Sequence, residues 1–178
     1  MTEILYGERI GRQDKMQSSS TKNPTKVVYG ERAAREGKLR LGCSAVLFDE
    51  KRQTVLLTRR ADNGQWCLPG GMIDPGESVT EGCQREVLEE TGLRVRVLRL
   101  TGVYSNPNQL TVYPDGNKAH VVVLVFEVER VGGKLGLSKE TTDARFFPTA
   151  EAIGMDLFHS HAEQIRDALA GQPAAFVR

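Results

Sequence analysis

The chain has 178 residues, 39% hydrophobic and 26% charged, with a formal net charge of +1. That is the length of one ordinary domain and a globular composition, which excludes a fibrous repeat or a wholly disordered chain. No apolar run approaches the ~18 residues of a membrane span, and residues 1–6 (MTEILY) lack the basic start and apolar core of a secretory signal. Near-neutral charge argues against a large electrostatic footprint for nucleic acid. The three cysteines, Cys43, Cys67 and Cys83, are far apart and in no CxxC spacing, so neither a disulfide framework nor a zinc site is expected. The expectation is a cytoplasmic domain with no membrane partner and no stable nucleic-acid partner.

The charge is unevenly spread. Residues 1–42 carry a net +4 and residues 43–178 a net −3. The first 40 residues read as an N-terminal extension to a domain at 41–178. The extension repeats Tyr6-Gly7-Glu8-Arg9 as Tyr29-Gly30-Glu31-Arg32, too little for a solenoid. It is either a mobile arm or a pair of edge strands that meet the body or a second subunit, and Val27-Val28-Tyr29 has the β-favouring residues for the latter.

Residues 41–48 and 54–58 are apolar and separated by Asp49-Glu50-Lys51-Arg52, which reads as a hairpin. Gly64, Pro69, Gly70 and Gly71 mark a loop running to about Ser78. A helix should follow: Ser78 with Glu81 forms a capping box, Val79, Cys83 and Val87 supply the inward stripe, and Gly92 ends it. Gly82 inside that helix costs ~1 kcal/mol against alanine, which implies close packing there. Residues 93–104 read as strands and 105–116 as turns. Residues 121–126 form the most apolar run, expected to be a buried central strand ended by Gly132-Gly133. A short strand at 144–147 and a helix at 158–170 complete an α+β arrangement.

Glu86, Glu89 and Glu90, at i, i+3 and i+4, fall within about 100° of one helix face. Three carboxylates that close repel one another, so the spacing fits either a solvated acidic face or a divalent cation held by hard oxygen donors. Glu77 in the preceding loop adds a fourth.

Gly71, Glu77, Arg85, Glu86, Val87, Glu89, Glu90, Gly92 and Leu93 fit G-x5-E-x7-R-E-U-x-E-E-x-G-U, with U aliphatic. The pattern resembles the signature box of the Nudix (MutT-like) hydrolases. A chance match would occur at about 10⁻⁹ to 10⁻¹⁰ per starting position. Residues 1–40 lie outside the resemblance. The resemblance implies a mixed β-sheet sandwiched between helices (α/β/α). It also implies metal-dependent hydrolysis of a nucleoside diphosphate linked to another moiety. By the same analogy Glu86, Glu89, Glu90 and the Gly70 backbone hold Mg²⁺ or Mn²⁺, and Arg85 pairs with Glu77 to fix the loop against the helix.

In such a reaction a metal-activated water attacks one phosphorus in line, and a carboxylate takes its proton. Glu86, Glu89, Glu140 and Asp143 are the candidate bases. Tyr104, Tyr113 and Arg60 are candidate substrate contacts, although aromatic residues beside a core strand more often pack. His120, His159 and His161 show no metal spacing. Selectivity is expected from residues 104–119 and the extension, with ADP-ribose or nucleotide sugars ahead of nucleoside triphosphates. A homodimer through the extension is a further expectation. Two other classes remain beside the hydrolase: a non-catalytic nucleotide sensor, which the intact box disfavours, and a prenyl-diphosphate isomerase, whose extra cysteine and glutamate cannot be placed here.

Overall fold

The computed structural model describes residues 24–178. The first copy of the Tyr-Gly-Glu-Arg repeat lies outside them. In chain order the elements are β1 (Lys26–Tyr29), a 3-10 turn (Ala33–Glu36), β2 (Lys38–Leu47), β3 (Thr54–Arg60), β4 (Trp66–Cys67) and α1 (Val79–Thr91). There follow β5 (Leu93–Tyr104), β6 (Gln109–Val112), β7 (Lys118–Gly133), β8 (Thr141–Pro148), α2 (Thr149–Ala152), α3 (His161–Ala170) and β9 (Phe176–Val177).

One sheet runs β1-β6-β7-β5-β9, with β2 also paired to β7; a smaller one runs β4-β3-β8. The central strand is β7, as its apolar run predicts. It pairs in parallel with β2, from Lys38↔Ala119 to Leu47↔Val128, and antiparallel with β5, from Leu93↔Gly133 to Tyr104↔Val123.

The expected hairpin of β2 and β3 does not form. The two strands share only the Phe48↔Val55 bridge, and β3 pairs instead with β4 and β8. Arg52, at φ 56°, and the Asp49 carboxylate accepting from the Thr54 N–H turn the chain from one sheet into the other. Both strands are buried as continuous runs rather than on alternate residues, the mark of strands covered on two faces. Three further strands escaped the sequence reading. β6 lies between two turn clusters and forms by pairing with β1 and β7, β4 is a two-residue segment within the glycine loop, and β9 is a two-residue segment beside β5. The 26–29 segment is thus an edge strand on the body.

The helices cover two faces. Val46, Val55, Leu57, Leu68, Tyr104, Val125 and Phe147 pack against α2 and α3 through Ala152, Ile165 and Ala168. Cys43, Ala45, Leu47, Leu56, Phe126 and Val128 pack against α1 through Cys83 and Val87. Alternation along β2 (Ala45 and Leu47 one way, Val46 the other) divides the two cores, giving the expected α/β/α sandwich. All three cysteines are free and buried.

α1 begins and ends where its sequence dictates. The Ser78 hydroxyl accepts from the Glu81 N–H, the Glu81 carboxylate accepts from the Ser78 N–H, and Gly92 closes the helix at φ 69°. α3 starts later than expected. Phe158, His159 and Ser160 form a turn in which His159 takes φ 57°, so the helix opens only at His161.

Candidate active site

The glycine loop is strapped to β2. Ala45 N–H donates to Pro69 O, Cys43 N–H to Gly71 O and Ile73 N–H to Leu41 O, so residues 69–73 run along that strand's outer edge. The strap needs small residues. A Cβ on Gly70 would collide with the Cys43 carbonyl, and one on Gly71 would lie 2.5 Å from the Glu86 carboxylate. Gly82 on α1 faces the same loop, since a Cβ there would meet Ile73 Cδ1 at 2.6 Å. The close packing inferred from that glycine is real.

Arg85 locks the loop to the helix. Its Nε and Nη2 donate to the two Glu77 oxygens at 2.6 and 2.9 Å, and Nη2 also donates to Met72 O at 3.0 Å. Nη1 donates to Glu86 Oε1 at 2.9 Å and to Glu89 Oε2 at 3.1 Å. The bidentate fork holds the Glu77 carboxyl down at about 2. Glu90 sits differently: it is half-buried, its Oε2 accepts from the Gly70 N–H at 3.1 Å, and loss of solvent lifts its carboxyl to about 8. Burial also raises Glu86, outweighing Arg85. Glu89 is exposed and turned toward Arg85.

Among the described residues no three His, Cys, Asp or Glu side chains converge at metal-binding geometry. The cation these carboxylates meet is Arg85, which draws Glu86 and Glu89 while Glu90 turns to Gly70. The donor set nevertheless suits a hard divalent ion. It is all oxygen, and burial raises two of its carboxylates, Glu86 and Glu90, above the ordinary range. Glu140, in the loop before β8, adds its field to both Glu86 and Glu90. Asp143 instead points along β8 to Arg145, 3.6 Å away.

Two cavities adjoin this cluster. One, of about 420 Å³, is lined by Gly70, Gly71, Tyr104, Gln109, Tyr113 and the segment from Phe158 into the start of α3. The second, of about 470 Å³, is lined by Glu90, Glu140, Asp62, Lys139 and Pro114. Arg60 lines both. Its guanidinium is held by both Asp62 oxygens, at 2.9 and 2.7 Å, and lies 4.4 Å over the Phe158 ring. The sequence-derived candidates Arg60, Tyr104 and Tyr113 therefore share one wall. Tyr104 is itself mostly buried, donating its hydroxyl to Asp167 at 2.8 Å, and Arg178 holds that carboxylate from the other side.

The histidines were not singled out by sequence, yet two of them shape the larger part of this wall. His161 Nδ1 accepts from the Leu68 N–H at 2.8 Å, and His159 Nδ1 contacts the Gln109 amide. Burial drives both imidazoles toward neutrality, His159 to about 4 and His161 to about 3. An i, i+2 pair at a helix start carries no sequence signal for this, because the partners Leu68 and Gln109 are remote in the chain.

A glycine loop clamped to a carboxylate helix, on a sandwich of this topology, defines a Nudix hydrolase. Residues 38–170 match the NUDIX domain family, and the chain belongs to that family of pyrophosphohydrolases. It is 38% identical over 117 residues to a MutT-like protein of Streptomyces ambofaciens, covering 66% of this chain and 69% of that one. It is 39% identical over 101 residues to an ADP-ribose pyrophosphatase of Methanocaldococcus jannaschii, covering 55% of this chain and 56% of the relative. The crystal structure of an ADP-ribose pyrophosphatase from Streptococcus suis superposes with a TM-score of 0.62 at 26% identity, over 78% of this chain and 98% of that one. No helix among the described residues is long and apolar enough to cross a membrane.

Proposed function

We propose that the protein hydrolyses the pyrophosphate bond of a nucleoside diphosphate linked to a second moiety, with ADP-ribose or a nucleotide sugar as the substrate class. The observation that carries this is the pair of cavities sharing Arg60, one lined by the Gly70-Gly71 loop and the other by Glu90 and Glu140. A diphosphate bearing a bulky group at each end would fill both, whereas a nucleoside triphosphate would leave one open. The Methanocaldococcus relative's name points the same way.

Glu86, Glu89 and Glu90, with the Gly70 backbone, would hold Mg²⁺ or Mn²⁺. Such an ion supplies charge neutralisation of the diphosphate oxygens and a lowered pKa for water. The chain's own groups do the rest. Arg60 orients the diphosphate from the opposite wall, and Arg85 with Glu77 fixes the loop that sets the position of Gly70 and Gly71. Glu140, whose charge acts on Glu86 and Glu90, would take a proton from the attacking water. Glu86 and Glu89 are the alternative bases. Tyr113 and Tyr104 form the wall against which the nucleoside lies.

Three free thiols fit a reducing cytoplasmic setting. The open outer edge of β1 supports a homodimer formed through the N-terminal segment. A panel of ADP-ribose, nucleotide sugars and nucleoside triphosphates, with Mg²⁺ or Mn²⁺ and the products separated by chromatography, tests the reaction. Release of AMP and ribose 5-phosphate from ADP-ribose is expected. Turnover confined to triphosphates would overturn the substrate class, and no turnover of any would favour a nucleotide sensor.

A further inference from the structure

Arg60, the cation that lines both cavities, has one side of its guanidinium already committed. Where it leaves β3 the ladder to β8 skips Thr142, passing from Arg59↔Asp143 to Arg60↔Thr141. A bulge of this kind bends the strand pair locally and re-aims a side chain. Backbone bonds pin the corner that follows, Arg60 N–H to Gln65 O and Ala61 N–H to Glu140 O. The guanidinium then meets Asp62 along its side edge: Nε donates to Oδ1 at 2.9 Å and Nη2 to Oδ2 at 2.7 Å. Phe158 supplies a surface for its flat face, and that ring is held in turn by the Phe158 N–H donating to Trp66 O. The second fork of the guanidinium, Nη1 with the remaining Nη2 hydrogen, meets no acceptor among the described residues. A planar fork of two N–H groups matches the oxygens of a phosphate.

Asp62 is held as well. Burial would raise its carboxyl, but the Arg60 fork and hydrogen bonds from the Thr25 hydroxyl and N–H keep it below the usual carboxylate range. Thr25 is buried, and the neighbouring Asn63 side-chain amide donates to its carbonyl at 3.3 Å. The segment leading into β1 thus bears on Arg60 through one carboxylate. That carboxylate is a poor choice if charge alone matters, because an acid beside the cation weakens the pull on an anionic ligand. What it supplies is orientation. With one fork fixed, the arginine loses little rotamer freedom when a ligand takes the other.

We propose that Asp62 is a positioning residue for the diphosphate: it grips Arg60 by one fork so that the other is presented to the ligand, and Thr25 anchors Asp62 and so ties the segment before β1 to the site. This rests on Arg60 being the group that orients the diphosphate in the proposed reaction, and it extends that reading to the residues that aim it.

The test is calorimetric binding of α,β-methylene-ADP, a diphosphate whose carbon bridge resists hydrolysis, to the full chain with Mg²⁺. Charge alone makes Asp62→Asn bind the anion more tightly; positioning makes it bind about ten-fold more weakly. Arg60→Lys, which keeps the charge and loses the fork, should weaken binding by a similar factor. Adding Asp62→Asn to Arg60→Lys should then change affinity by less than about two-fold, since the acid acts through the arginine. Thr25→Val, close in shape but without the hydroxyl, should weaken binding about three-fold and be silent in Arg60→Lys. No binding by the wild type, or equal or tighter binding by Asp62→Asn, overturns the proposal. So does a full additional loss when Asp62→Asn is added to Arg60→Lys, which would make the acid a brace for its loop alone. Unchanged affinity in a folded Thr25→Val protein overturns the anchoring by Thr25. Should Asp62→Asn not fold, the Thr25→Val and Arg60→Lys pair runs the same cycle. Binding that follows this pattern without turnover of any diphosphate would sink the proposed reaction and leave the positioning role intact. Hydrolysis of ADP-ribose with unweakened binding by Asp62→Asn would do the reverse.

Discussion

The two sides of the site treat charge in opposite ways. On the α1 side, Glu77, Glu86 and Glu89 pair with one arginine, and half-buried Glu90, lifted to about 8, sits beside them on the Gly70 N–H. On the α3 side, burial strips two imidazoles of charge, and the Leu68 N–H fixes the tautomer of His161. The first arrangement suits phosphate chemistry, where negative charge must be neutralised and a proton moved. The second suits recognition of an uncharged ring, where a stray cation would bind the wrong end of a nucleotide. Arg60 stands between them as the one cationic side chain that lines both cavities.

If the α1 side carries the chemistry, its variants should act on turnover and leave folding alone. Glu89→Gln or Glu90→Gln is expected to lower kcat by about 10³-fold or more while the thermal transition survives. Near-normal activity in either would remove the carboxylates from the reaction. Gly71→Ala should follow, because its new Cβ would sit 2.5 Å from the Glu86 carboxylate. A loss of ~10²-fold in kcat/KM, with ~1–3 kcal/mol of destabilisation in urea unfolding, is the expected cost of that overpacking.

The α3 side should show itself in stability against pH. His161 has a folded pKa of about 3 against 6.5 for the free side chain, so the unfolded chain takes up a proton first as pH falls. Stability is therefore complete above about 6.5 and declines as pH drops toward 3, by about 1.4 kcal/mol per unit at most. His159 adds to the slope in the same window. In a Glu90→Gln background, which removes the opposing proton uptake of Glu90 over the same window, urea midpoints at pH 7, 5.5 and 4.5 should fall in that order, and adding His161→Gln should flatten the series. A midpoint unchanged down to pH 4.5 would contradict the buried neutral ring.

The smallest effect is expected at Gly82, which touches the loop through a flexible neighbour. Gly82→Ala gains about 1 kcal/mol of helix propensity and must push Ile73 Cδ1 aside. The net change should stay within about 1 kcal/mol, and trimming Ile73 to valine in the same protein should make it favourable.

The same contrast explains what could be read from the chain beforehand. The α1 side is local in sequence: Ser78, Glu81 and Gly92 fix the helix ends, and 23 contiguous residues contain the box, so spacing alone brought the carboxylates together. The α3 side depends on partners 50 and 93 residues away, Gln109 for His159 and Leu68 for His161. No periodicity carries that information. The β2–β3 reading failed for a related reason. A short polar turn between two apolar runs indicates a reversal of the chain, but only the burial of each run on both faces tells which sheet it enters. Tyr104 was legible as a residue of the site wall, although not as the donor to Asp167, because that carboxylate lies on a helix 63 residues further on.

The parallel pairing of β2 with β7 has a consequence for how the protein comes into being. The strap that seats Gly70 and Gly71 runs along β2, and β2 is held in the sheet by residues about 80 positions downstream. Contacts of such long sequence separation form slowly, since their loop must close before they return any stabilisation. A chain emerging from the ribosome will have exposed its whole carboxylate helix before the first residue of β7 appears. It stays incompetent until that strand arrives, so a nascent or truncated chain ending before residue 119 has the full signature and none of the β7 pairing that seats the strap.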